Sequence, residues 1–134
     1  MIPAKAGVAL LVDQITVETP LKAGIVWPDD LQQYARENTV VRVPVEFLRI
    51  GDTVIWSAPV ELFCEISMQI REHSPFGSTF YFGYTNGWLG YLPTKTAFAE
   101  GGYEPKTSPF TGEAEGDLLR AVEGKIKQLH AGSR

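Results

Sequence analysis

One cysteine, Cys64, and two histidines, His73 and His130, are all that this chain of 134 residues holds of the side chains that most often close a structural zinc or redox centre. A lone cysteine excludes an internal disulfide. Neither histidine has a second ligand at a recognisable metal-binding spacing. The patterns Cys-x-x-Cys, His-Glu-x-x-His and Gly-x-Ser-x-Gly are absent, as is a phosphate loop. Basic residues are also few, twelve against sixteen acids for a net charge of -4, and they form no run. The chain therefore lacks the phosphate-neutralising surface that nucleic acid requires, and no nucleic acid partner is expected. Long hydrophobic runs are missing too. Residues 6–12 are apolar but end at Asp13, too short to span a bilayer. They lack the cleavage pattern of a secretory leader, so no transmembrane segment is expected and the cytoplasm is the default location.

What is present suits a globular domain. Hydrophobic residues make up 44% and charged residues 21%, in a length that fits one domain over residues 1–134 with a sizeable core. Residues 7–12 suit a buried strand, and residues 15–19 have strand composition up to Pro20. Residues 28–38 open with Pro-Asp-Asp and read as a short helix or an irregular loop. Val41, Val43, Val45 and Phe47 alternate with more polar positions, so a strand is expected, with Pro44 marking an edge or a bulge. Gly51-Asp52 is a hairpin turn to a partner at residues 53–56.

Ser57 or Ala58 is then expected to cap a helix with Pro59 at its first position, carrying Phe63, Ile66 and Ile70 on one face and stopping before Ser74-Pro75. Residues 79–84 read as a central, aromatic strand. Thr94 caps a short helix to Glu100, and residues 116–129 form an amphipathic helix through Leu118, Leu119, Val122, Ile126 and Leu129. The order of elements gives an α/β (or α+β) fold: a layered domain whose mixed sheet contains a β-hairpin and is flanked by helices. Cys64, beside Leu62 and Phe63, reads as a buried structural residue.

Three residues are candidates for chemistry. Glu61 lies past a strand end, where open α/β sheets place ligands. It reads either as a surface acid in a first helical turn or as a ligand to a cation. Tyr91 follows Gly87-Trp88-Leu89-Gly90 and is either a core tyrosine or a phenol whose proton a nearby ion displaces. Tyr103, twelve residues on in a glycine-flanked loop, is a surface anchor or a donor to a substrate carbonyl. Asn86 is the turn residue of an Asn-Gly pair, His73 a helix-terminal charge, and His130 part of a frayed tail.

The run Val45-Glu46-Phe47-Leu48-Arg49-Ile50-Gly51-Asp52, then Ala58-Pro59-Val60-Glu61, then Asn86-Gly87-Trp88-Leu89-Gly90-Tyr91-Leu92-Pro93-Thr94 and Gly102-Tyr103-Glu104, resembles the neutral/alkaline ceramidase family, more closely the C-terminal part of its catalytic domain. The resemblance spans about residues 40–129. It implies a zinc amidohydrolase site in which Glu61 and Tyr91 match the glutamate and tyrosine metal ligands. Tyr103 matches a tyrosine that holds or polarises the substrate amide; no residue is assigned to an organic cofactor. The sequence departs from the family pattern at Val60, where glycine is usual, and at Trp88. The family's two histidine ligands belong to a more N-terminal part with no counterpart in this sequence. The resemblance therefore implies half of a metal site, inactive by itself, completed by a missing N-terminal catalytic segment as partner. A homo-oligomer or a lipid-like ligand is the alternative set of partners, with zinc absent from the chain alone.

Overall fold

The computed structural model describes residues 10–37 and 39–132. Its centre is one mixed sheet. β1 (Leu10–Pro20) and β3 (Val40–Ile50) pair antiparallel along their whole length, from Leu10 opposite Ile50 to Pro20 opposite Val40. The Gly51 turn, at φ 57°, returns the chain into β4 (Thr53–Ser57), the expected hairpin partner. β6 (Ser78–Phe82) then adds parallel to β4. The strand order is β1-β3-β4-β6, with the two-residue β2 (Ala35–Arg36) beside the start of β3. A 3-10 helix (Asp29–Tyr34) precedes β2, where the sequence allowed a short helix or a loop.

Alternation along β3 decides which side is core. Val41, Val43, Val45 and Phe47 are at most 1% exposed, joined by Val54 and Trp56 of β4. They face α1 (Cys64–His73) and α4 (Ala114–Ala131), which pack on each other. α1 contributes Ile66 and Ile70; α4 contributes Leu118, Val122, Ile126 and Leu129 of the stripe read from the sequence, with Ala114 added and Leu119 only half-buried. Arg49 continues the inward row of β3 as a charge. Its guanidinium donates to the Leu129 carbonyl at 2.6 Å and the Gly51 carbonyl at 2.9 Å, closing the carboxyl end of α4.

Among the described residues no α-helix packs on the other face of the sheet, which the 3-10 helix partly covers beside Thr16, Arg42 and Pro44. Val12, Leu48, Ile55 and Phe80 are successive cross-strand neighbours on that face. Val12 is 76% exposed and Phe80 51%.

Several expectations are corrected. The strand at the chain start continues through Asp13 as β1, where Leu10 and Val12 are exposed on the outer face and Leu11, opposite Arg49 at the end of the inward row, is exposed at the sheet edge; residues 7–9 lie outside the described residues. Pro44 sits in a strand paired on both sides, within the interval between its β2 partners, which end at Val41, and its β4 partners, which begin at Glu46. The helix after β4 starts at Cys64, capped by Phe63, not at Ser57 or Ala58, which belong to the end of β4 and the segment beyond it. Cys64 is exposed, since it and Glu65 lie on the solvent side of α1 while Ile66 turns inward. The aromatic strand β6 lies at the sheet edge, where Phe80 and Phe82 face outward. Of its aromatic residues Tyr81 turns in, onto Trp56 at 4.3 Å between ring centroids, beside buried Thr79.

Candidate functional site

The parallel strands β4 and β6 end at Ser57 and Phe82, and the chain beyond each end builds one corner of the molecule. This is the place where open α/β sheets collect ligands. Beyond β4, residues 58–63 are stitched to residues 81–92. The Tyr81 hydroxyl donates to the Val60 carbonyl at 3.0 Å, and the Thr85 amide to the Ala58 carbonyl at 3.3 Å. The Glu61 amide donates to the Gly90 carbonyl at 2.9 Å and the Phe63 amide to the Leu92 carbonyl at 3.2 Å. These last bonds create two short parallel strands, β5 (Glu61–Leu62) and β7 (Tyr91–Leu92), with Glu61 directly beside Tyr91. Register partners project to the same side of a sheet, so the carboxylate and the phenol share a face.

Tyr103 arrives by a different route. Gly101 and Gly102, at φ 83° and 120°, turn the chain out of α2 (Lys95–Glu100) into α3 (Tyr103–Thr107). Thr94 caps α2 through its hydroxyl, which accepts from the Ala97 amide at 3.1 Å. Tyr103 is thus the first residue of a short helix, not part of a loop. Buried Ser108 fastens that helix to β7: its hydroxyl donates to the Tyr91 carbonyl at 2.7 Å and accepts from the Phe110 amide at 3.1 Å. The Tyr91 and Tyr103 rings consequently meet edge to face, centroids 6.2 Å apart and planes at 76°.

A third tyrosine joins them. Tyr84 follows β6 in a left-handed conformation, φ 56°. The nearby Glu61 carboxylate first, then burial, then the charge of Tyr91, hold the Tyr84 proton above the ordinary phenol value. Tyr91 is also shifted upward, first by burial, then by Glu61, Tyr103 and Glu104. The sequence showed Tyr84 as one aromatic among several near Trp88. The useful signal was its place just past the end of a strand parallel to the one leading to Glu61. Gly90 is required twice over, at φ 100° and with the position of a Cβ only 3.1 Å from Pro109 Cδ.

Glu61 precedes α1 and lies in β5, so the reading that placed it in a first helical turn is replaced. Asn86, at φ 59°, serves the turn and also donates to the Glu46 carboxylate at 3.0 Å. The histidines lie apart from this corner. His73, at the carboxyl end of α1, contacts Glu123 at 2.9 Å. His130 lies in the last turn of α4, edge-on to Phe76 at 5.0 Å, not in a frayed tail. A carboxylate and a phenol on one face fit the oxygen-donor side of a zinc site. Among the described residues no group of three or more His, Cys, Asp and Glu converges to complete one.

No protein-family model matches the chain, and no curated protein matches it by sequence. Solved structures do match by fold. A ceramidase complexed with C2 superposes with a TM-score of 0.62 at 20% identity, over 83% of this chain and 20% of the ceramidase. Neutral ceramidase from Pseudomonas aeruginosa gives a TM-score of 0.61 at 20% identity, over 83% and 21%. The chain thus has a ceramidase-like fold and spans about a fifth of the length of the ceramidases it matches.

Proposed function

We propose that this chain is a ceramidase-like segment that supplies half of a zinc amidohydrolase site and is inactive alone. Glu61 and Tyr91 are its two oxygen ligands, and Tyr103 holds or polarises the substrate amide. The histidine ligands come from polypeptide outside residues 1–134. The observation that carries this reading is the register of β5 against β7, with Glu61 beside Tyr91 and the Tyr103 ring on Tyr91. When bound, zinc would activate water for attack on the amide carbonyl. The chain's own residues do the rest. Glu61 offers a carboxylate, and Tyr91 keeps its proton until a cation reverses the local electrostatics.

Zinc titration of the purified chain with metal analysis, alongside an N-acyl amide hydrolysis assay, tests the reading. The expected result is weak zinc uptake, lowered in Glu61→Gln and Tyr91→Phe, and no turnover. Stoichiometric zinc with amidase turnover by the chain alone would overturn the inactive-alone claim. Zinc uptake indifferent to both substitutions would remove the ligand assignment.

A second reading is a non-enzymatic domain that binds or self-associates through the apolar row on the outer sheet face. It is favoured by the cross-strand row Val12, Leu48, Ile55 and Phe80. Light scattering over a concentration series decides it. Association abolished by Leu48→Lys supports the reading, and a monomer at all concentrations rejects it.

A further inference from the structure

Tyr103 depends on an element that cannot hold itself in place. α3, which begins with it, has five residues and is too short to be stable by itself. It follows Gly101 and Gly102, at φ 83° and 120°, and a Cβ at either glycine would meet nothing within 4 Å. A glycine pair in open space is a hinge, so it does not fix the direction in which α3 leaves α2. That direction must be set from the carboxyl end of α3. Ser108 ties this end to the Tyr91 carbonyl at 2.7 Å. A single tether leaves a short helix free to swing about it.

A second tether comes from just beyond β1. Leu21 pairs with Phe110 in an isolated antiparallel bridge, and the Lys22 amide donates to the Pro109 carbonyl at 2.8 Å. These bonds bring the half-buried Lys22 side chain to the last turn of α3. Its ammonium donates to the Pro105 carbonyl at 2.6 Å and to the Lys106 carbonyl at 3.3 Å. A helix leaves such final carbonyls without internal partners, and they carry the negative end of its dipole. The same ammonium lies 5.6 Å from the centroid of the Phe98 ring of α2. One cation therefore holds the helices on both sides of the glycine hinge. We propose that Lys22 is a positioning residue for Tyr103: its cation, on the α3 carbonyls and the α2 ring, fixes the angle at which the Tyr103 ring meets Tyr91. Lys22 lies outside residues 40–129, over which the family resemblance runs. The positioning needs no metal; its bearing on catalysis rests on the reading of Tyr103 as the residue that holds the substrate amide.

The test is NMR on the full chain carrying Lys22→Met, which keeps most of the stem without the charge, or Lys22→Arg, which keeps the cation. The Lys106 and Ser108 amides donate to the Gly102 and Glu104 carbonyls and so report on α3. In Lys22→Met their hydrogen exchange should quicken by about tenfold or more, the effect of losing a charge-assisted hydrogen bond. Nuclear Overhauser contacts between the Tyr91 and Tyr103 rings should weaken, while exchange at core residues Val43 and Val122 stays unchanged. Lys22→Arg should restore both readouts. Ring contacts and exchange unchanged in Lys22→Met overturn the proposal. Equal acceleration at Val43 and Val122, which is general loss of stability, overturns it too, as does a change that Lys22→Arg fails to reverse. Zinc titration keeps the proposal apart from the ligand assignment. Glu61 and Tyr91 are held by the register of β5 on β7, so zinc uptake in Lys22→Met should equal that of the parent chain. Zinc uptake that ignores Glu61→Gln and Tyr91→Phe removes the ligands, whereas the role of Lys22 stands or falls on the ring contacts.

Discussion

The sheet body and the site corner are built by different means. In the body, two eleven-residue strands and an eighteen-residue helix bury Val43, Val45 and Val122 completely. In the corner, strands are two residues long, α3 has five residues, and Tyr84, Asn86, Gly87 and Gly90 all sit at positive φ. The body owes its geometry to apolar burial. The corner owes its geometry to single hydrogen bonds and to backbone conformations that only certain residues adopt at low cost. Damage to the body should therefore act through stability, and damage to the corner through the arrangement of Glu61, Tyr91 and Tyr103.

The largest expected effect is in the body. Phe47→Ala leaves a cavity in the core and should lower unfolding free energy by about 3–5 kcal/mol, measured by denaturant melts. At the boundary, Gly90→Ala meets both a left-handed φ and Pro109, and should cost about 1–2 kcal/mol. It should also disturb the Glu61–Tyr91 register, visible as altered tyrosine titration. An effect confined to stability would blur the distinction between the regions.

Tyr81 links the two. Its hydroxyl donates to Val60 carbonyl beside Glu61 while its ring packs on Trp56, and Tyr81→Phe should cost about 1 kcal/mol. Burial pushes its pKa well above the ordinary value of 10.0. The folded state then keeps a proton that the unfolded state loses, so this stability is full below pH about 10 and declines as pH rises further. Tyr81→Phe should flatten that alkaline decline in melts run across the range. The smallest effect on stability belongs to Glu61→Gln, which should leave the melting temperature unchanged. It should nevertheless let Tyr84 and Tyr91 titrate at lower pH by ultraviolet difference spectroscopy, since Glu61 raises both.

The same contrast explains what could be read before the structure. Val41 to Phe47, the Gly51 turn and the α4 stripe were legible because periodic burial leaves a periodic record. Glu61, Tyr91 and Tyr103 were visible as candidates, but the local context of Glu61 was misread. Pro59 suits a helix start, yet the Leu89 amide holds the Pro59 carbonyl at 2.6 Å, and residues 61–62 pair with β7 before the helix begins. Cys64 and β6 were misread for a related reason: composition reports apolar character, but whether a strand lies at an edge is settled by what pairs beyond it.

The sequence by itself determined the layered α/β class, the hairpin, the helix capped by Thr94 and the faces that α4 and β3 bury, because each follows from local periodicity and capping chemistry. Tertiary structure alone decided that β6 runs at the edge, that the Val12–Phe80 row of one sheet face carries no α-helix among the described residues, and that Glu61 meets Tyr91 and Tyr103. Those outcomes depend on pairings between residues twenty to thirty positions apart, such as Glu61 with Tyr91, and no local pattern encodes which distant partner a short strand meets.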